Sequence, residues 1–245
     1  MRALSSAELM TVWEQGVSQP WAQRALVLLA VACAEDEKAD RLAQLSIGQR
    51  DACLLALREK IFGPQLAGVA SCPACGEVLE FGIKAAEIRA TPTVVPTEMM
   101  DLSHTDYEVR FRLPNSLDMT CLDPKADNRT NRQRLLTRCV LVARRAGAEI
   151  TPDELPPEVV AAIAERMTEA DPQAEVQLAL ACPKCAHHWQ VPLDILSFFW
   201  SEINAWAIRL LHDVHVLASA YGWREADILA MSPKRRQAYL ELVQP

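Results

Sequence analysis

The chain has 245 residues, of which 50% are hydrophobic, 23% are charged and only eight are glycine. That is enough apolar material for one large or two modest packed units, and the shortage of glycine favours helices over a turn-rich sandwich or barrel. A net charge of −7, from 32 acidic against 25 basic residues, argues against a duplex-binding protein, which needs a basic face to neutralise phosphates.

In chain order, residues 1–68 read as an N-terminal helical region. Ser6 precedes AELMTVWEQG, a short amphipathic helix ending near Gly16. Trp21 to Cys33 is strongly apolar, and the charged stretch Glu35–Arg41 breaks the run. Ser46 then opens a helix in which Ile47, Leu54, Leu57 and Ile61 recur at helical spacing, and Gly63-Pro64 stops it. No run reaches the roughly 20 apolar residues of a bilayer span, and the N-terminus lacks the apolar core of a signal peptide. A soluble, cytoplasmic protein is expected.

Residues 69–92 change character, with β-favouring residues on both sides of CPACG; residues 173–193 repeat the pattern around CPKC. The 93–172 segment between them reads as an insertion. It begins with a Thr/Pro-rich linker from Ala90 to Thr97 and a strand, Tyr107 to Leu113, ended by Pro114-Asn115. Two helices follow, Asp127 to Ala146 and Pro157 to Ala170. Residues 194–245 are helical again. Phe199, Ile203, Trp206, Leu210, Val214, Leu217 and Tyr221 form one apolar stripe ending at Gly222, and Ser232-Pro233 starts a last helix. The expected fold is α+β and mainly helical, built on a split zinc ribbon.

The two CPxC pairs carry the chemistry. Two cysteines separated by two residues wrap one tight turn and aim both sulfurs at a single ion. One such pair is ambiguous with a redox dithiol, but two, each flanked by strand-like sequence, point to one shared Cys₄ site of Cys72, Cys75, Cys182 and Cys185 holding one Zn²⁺ per chain. The 106 residues between Cys75 and Cys182 exceed the usual ribbon interval, which the inserted segment accounts for. Gly76 after the first knuckle permits positive φ, whereas the second has Ala186 there. A closed thiolate shell leaves no open coordination position, so the zinc is expected to be structural.

His187 or His188 could contribute to that site, although Cys185 is better placed. His212 and His215, three apart on a helix, lack a third ligand nearby and read as ordinary helix histidines. There is no glycine-rich phosphate loop, GxSxG elbow or HExxH, so no enzyme and no small-molecule substrate is expected. Lys234-Arg235-Arg236 fall in the first turn of the last helix, where positive charge opposes the helix dipole. With Trp223 and Tyr239 nearby, Arg235 and Arg236 form a candidate partner-binding surface; equally, the aromatics could simply fill the core behind the long helix.

Residues 45–81, 109–118 and 202–242, about two-fifths of the chain, together resemble a known family. The segments LSIGQRDACLLALREKIFG and YGW…IL…RR..YL are the most specific. The family is that of baseplate proteins, or baseplate hub assembly chaperones, of T-even-type contractile-tail phages, found also in phage-tail-like contractile injection systems. The resemblance implies a non-enzymatic structural or assembly role, with other baseplate or tail proteins as partners; that no nucleic acid and no membrane is a partner is expected from the acidic charge and the lack of a long uninterrupted apolar run. The resemblance also allows incorporation into a tail-like particle. A zinc-ribbon nucleic-acid or transcription-associated module is the competing reading, disfavoured by the acidic charge and a ribbon poor in Lys and Arg.

Overall fold

The computed structural model of the chain describes residues 1–33, 39–90 and 99–243. Glu35–Lys38 and most of the Thr/Pro-rich linker (91–98) fall outside the described residues.

Four helices open the chain: α1 (Ser6–Gly16), α2 (Trp21–Ala32), α3 (Ala39–Gln44) and α4 (Ile47–Phe62). The cap of α1 is Ser5, one residue earlier than the sequence suggests. Its hydroxyl accepts from the Glu8 N–H while the Glu8 carboxylate accepts from the Ser5 N–H, so two otherwise orphaned donors are satisfied. Ser46 and Gln49 repeat this capping box on α4. Leu9, Val12, Leu28, Leu29, Leu54, Leu55 and Leu57 bury one continuous core, and α3 is a short helix the sequence reading passed over.

Two hairpins follow, far apart in sequence: β1 (Gln65–Ser71) with β2 (Val78–Lys84), and β7 (Gln177–Ala181) with β8 (His188–Pro192). Strand β1 starts at Gln65, so the first hairpin reaches back into the segment read as helical. Leu66 and Leu178, one from each hairpin, sink into the helical core beside Leu196, Phe199 and Ile203, which anchors both at one base.

Between them lies a second packed unit. Strands β3 (Met100–His104), β4 (Tyr107–Phe111), β5 (Val140–Arg145) and β6 (Ala148–Glu149) form an antiparallel sheet in that order, with helices α5 (Asn128–Cys139) and α6 (Pro157–Ala170). Val109, Phe111, Leu136, Val140, Ala143, Val159 and Ile163 make its core. The helix expected from Asp127 to Ala146 therefore ends at Cys139, and Val140–Arg145 is a strand. Val140 and Val142 are β-branched, and Ala146 and Gly147, at φ 47° and 86°, turn the chain into β6.

The insertion leaves and rejoins the ribbon at one spot. Gln173 is buried; its Oε1 accepts from the Ala90 N–H (2.8 Å) and its Nε2 donates to the Ile88 carbonyl (3.1 Å). Next to it, the Asp171 carboxylate accepts from the Gly48 N–H at 2.8 Å, at the N-terminus of α4 where an anion is favoured. Burial pushes the Asp171 carboxyl above its ordinary pKa, against the pull of the Gly48 N–H, Ser46 and Arg50.

Helix α7 (Ile195–Tyr221) is capped by Asp194 and ends at Gly222, φ 67°, as the apolar stripe implies. Its first half completes the N-terminal core, and the buried Arg58 of α4 grips Glu202 through two hydrogen bonds of 2.9 and 2.6 Å. Its second half packs α8 (Glu225–Leu229), which the sequence reading missed, and α9 (Pro233–Val243) through Leu217, Ile228 and Leu240. The expected cap of the last helix is present: the Ser232 hydroxyl accepts from the Arg235 N–H. No helix among the described residues is long and apolar enough to cross a membrane.

Candidate metal centre

Each knuckle is built the same way. The Cys72 N–H donates to the Glu77 carbonyl and the Gly76 N–H to the Cys72 carbonyl; Cys182, His187 and Ala186 repeat both bonds, all at 2.8–2.9 Å. The turn inside each hairpin needs a left-handed residue after the second cysteine, and Gly76 (φ 72°) and Ala186 (φ 57°) supply it.

The two knuckles face each other. Cys72 Sγ lies 3.7 Å from Cys185 Sγ, Cys75 Sγ lies 3.6 Å from Cys182 Sγ, and all four sulfurs fall within 4.8 Å of one another. Four thiolates at the zinc–sulfur bond length of ~2.3 Å sit at tetrahedron corners about 3.8 Å apart, so the measured gaps have the size of such an edge. Cys72 and Cys182 are buried, while Cys75 and Cys185 reach the surface. Across the same face Lys184 Nζ pairs with the Glu77 carboxylate at 2.7 Å, one exposed strut between the hairpins.

Without a metal the thiols of Cys75, Cys182 and Cys185 influence one another's titration. The Cys182 thiol is lowered to about 7, first by the Cys185 backbone N–H pointing at its sulfur. Cys75 is pushed up to about 12: the Glu77 backbone N–H favours its thiolate, but the neighbouring sulfurs and desolvation outweigh it. A divalent ion supplies the positive charge that lets all four ionise, so binding must release protons.

The histidines stand apart from this cluster. His187 stacks on Trp189 with ring centroids 6.0 Å apart, and His188 opens β8 opposite Ala181. His212 and His215 are exposed on α7, remote from the four cysteines in sequence and absent from their cluster.

The C-terminal candidates divide. Trp223 stacks on Tyr221 at 4.4 Å and meets the Tyr239 ring edge-on at 4.8 Å, so both are half-buried. Arg236 is buried and its Nε reaches Asp213 of α7 at 3.3 Å; it serves the fold, contrary to the surface position the dipole argument gave it. Arg235 is exposed, with its guanidinium 5.8 Å from the Tyr239 ring centroid.

The family model described as T4 bacteriophage base plate protein matches residues 7–200. The chain belongs to this family. The match spans the N-terminal helices, both knuckles, the insertion and the start of α7. The tail that carries α8 and α9 lies beyond it. No curated protein and no solved structure matches the chain. Membership in a phage baseplate family supports a structural role among other baseplate and tail proteins. The sequence holds the four cysteines as two CPxC pairs, but only the fold, by seating both hairpins on one helical core, makes one site of them.

Proposed function

We propose that the chain is a non-enzymatic structural or assembly (chaperone-like) protein of a contractile phage-tail-like baseplate, its two hairpins clasped by one structural zinc ion. The family match over residues 7–200 carries the baseplate reading. The metal reading rests on four cysteine sulfurs gathered within 4.8 Å of one another, with two of their gaps, 3.7 and 3.6 Å, the size of a tetrahedral edge. Soft sulfur ligands suit zinc, and when bound the ion neutralises the thiolates and ties two distant chain segments together. With all four positions filled by protein it has none left for a substrate, so its contribution is to folding.

Elemental analysis of the purified protein tests the metal and should give about one zinc per chain. Cys72→Ser and Cys182→Ser should each abolish it, because both knuckles hold the same ion. Retention of half the metal in either variant would break the shared-site reading. Co-expression with sheath, tube and spike proteins of the same tail cluster tests the role: the chain should co-purify with a baseplate intermediate. Within the C-terminal segment, Arg235 beside Trp223 and Tyr239 is the proposed contact, and Arg235→Glu should weaken that association with melting temperature unchanged.

A further inference from the structure

Strands β2 and β7 face each other across a cleft of about 430 Å³ lined by Phe81, Gly82, Ile83, Gln177, Leu178 and Ala179, among others. The two belong to separate two-stranded sheets and do not pair. Which backbone groups point into the gap follows from the ladders. In the first hairpin, the Cys72 N–H bonds the Glu77 carbonyl at one end and the Ala85 N–H bonds the Pro64 carbonyl at the other. Alternation along the antiparallel register then turns Phe81 and Ile83 inward to β1 and leaves Glu80, Gly82 and Lys84 facing outward. In the second, the bonds from Cys182 to His187 and from Leu193 to Val176 likewise leave Gln177, Ala179 and Ala181 facing outward from β7. The Lys84 N–H is taken by the Glu87 carboxylate at 3.1 Å. Among the described residues, no bonding partner is seen for the outward groups of Gly82 and Ala179.

Gly82 is the second observation. Its φ is not in the left-handed region, and a Cβ built there would meet nothing nearer than the Leu66 carbonyl oxygen at 3.9 Å. Neither conformation nor packing calls for glycine, and a bare strand position is where another backbone can come close. The equivalent position of the other hairpin, ten residues past its first cysteine, is Pro192. Proline has no N–H to offer, so the outer edge of β8 is blunted against pairing while that of β2 is left open.

We propose that this cleft is a strand-addition site: an extended segment of a baseplate or tail protein lies along β2 and β7, bonding Gly82 and Ala179 and carrying a lysine or arginine. The basic residue follows from the rim. Glu87 and Glu175 line the cleft as carboxylates, whereas the one cation among its described lining residues, Arg89, is already paired with Glu59. Main-chain bonds supply the affinity in such a mode and side-chain positions the selectivity. The proposal rests on the baseplate reading above.

Hydrogen–deuterium exchange of the full zinc-loaded chain, alone and in the complex isolated by co-expression with the tail gene cluster, tests it. Amides of residues 80–84 and 177–181 should exchange at least tenfold more slowly in the complex. Gly82→Pro, which copies Pro192, and Glu175→Lys, on an exposed side chain, should each cut complex recovery about tenfold with zinc content and melting temperature unchanged. A complex that forms without protection of these amides overturns the strand site and leaves the baseplate role standing. Protection that grows with the concentration of the chain alone makes the occupant a second copy and overturns the proposed partner. Failure to form a complex with any tail component removes both readings.

Discussion

The two knuckles differ at one position that sets up a clean energetic test. Gly76 and Ala186 occupy the same left-handed site, at φ 72° and 57°. A residue with a Cβ costs ~1–2 kcal/mol in that conformation, while glycine costs ~0.4–1 kcal/mol through the greater freedom of its unfolded chain. Ala186→Gly should therefore stabilise the protein by about 0.5–1 kcal/mol. A Cβ on Gly76 would meet nothing within 4 Å, so Gly76→Ala adds no clash, only backbone strain, and should cost a similar amount. For a chain of this size 1 kcal/mol moves the melting temperature by ~2–4 °C. The assay is thermal melting of zinc-loaded protein followed by circular dichroism, repeated with excess chelator. Both shifts should shrink without metal, when only the backbone bonds of each knuckle hold the turns. If Ala186→Gly lowers the melting temperature, or Gly76→Ala leaves it unchanged, the equivalence of the two turns is wrong.

Three further outcomes follow from buried groups. Glu202→Ala leaves the buried Arg58 with, among the described residues, only the Gly63 carbonyl as a hydrogen-bond acceptor, and should cost about 3–5 kcal/mol; Arg58→Met combined with Glu202→Leu should recover most of it in denaturant titration. Asp118 is fully buried between Arg112 and Arg138. Desolvation raises its pKa, but hydrogen bonds from Arg112, the Asn115 N–H and Arg138 outweigh it, and the net shift is downward. Because the folded carboxyl titrates below the unfolded one, its stabilisation is complete above ~pH 4 and is lost as pH falls through the folded value. Asp118→Asn should flatten that acid limb of the stability curve. Phe111→Ala, in the wholly buried centre of the insertion, should cost about 3–5 kcal/mol with zinc content unaltered, read by melting and elemental analysis.

Local signals were legible wherever one residue's chemistry decides the outcome. Ser46, Gly222 and Ser232 mark helix ends because each satisfies or releases a terminal backbone group on its own, and both knuckles announce themselves by spacing. The reading failed where a longer-range partner decides. Val140–Arg145 follows the helix with no turn signal between them, and only its pairing with β4 separates the β-branched Val140 and Val142 from the helix they extend. The short helices α3 and α8 hold too few residues to show a period. Arg236 looks like a surface charge until Asp213, 23 residues earlier on α7, is placed beside it. The cleft between β2 and β7 depends on two hairpins that only the folded chain brings together.

Gln173 joins the departing and returning ends of the insertion by two hydrogen bonds, to Ala90 and Ile88. An excursion of some eighty residues thus starts and finishes at neighbouring points, and it carries its own core. The body of the protein experiences that excursion as a closed loop whose length is thermodynamically cheap to change, since each doubling costs only ~0.6 kcal/mol. The lobe can accordingly grow or shrink while the paired cysteine knuckles and the helical base stay the same, much as a connector keeps its socket when the cable is replaced.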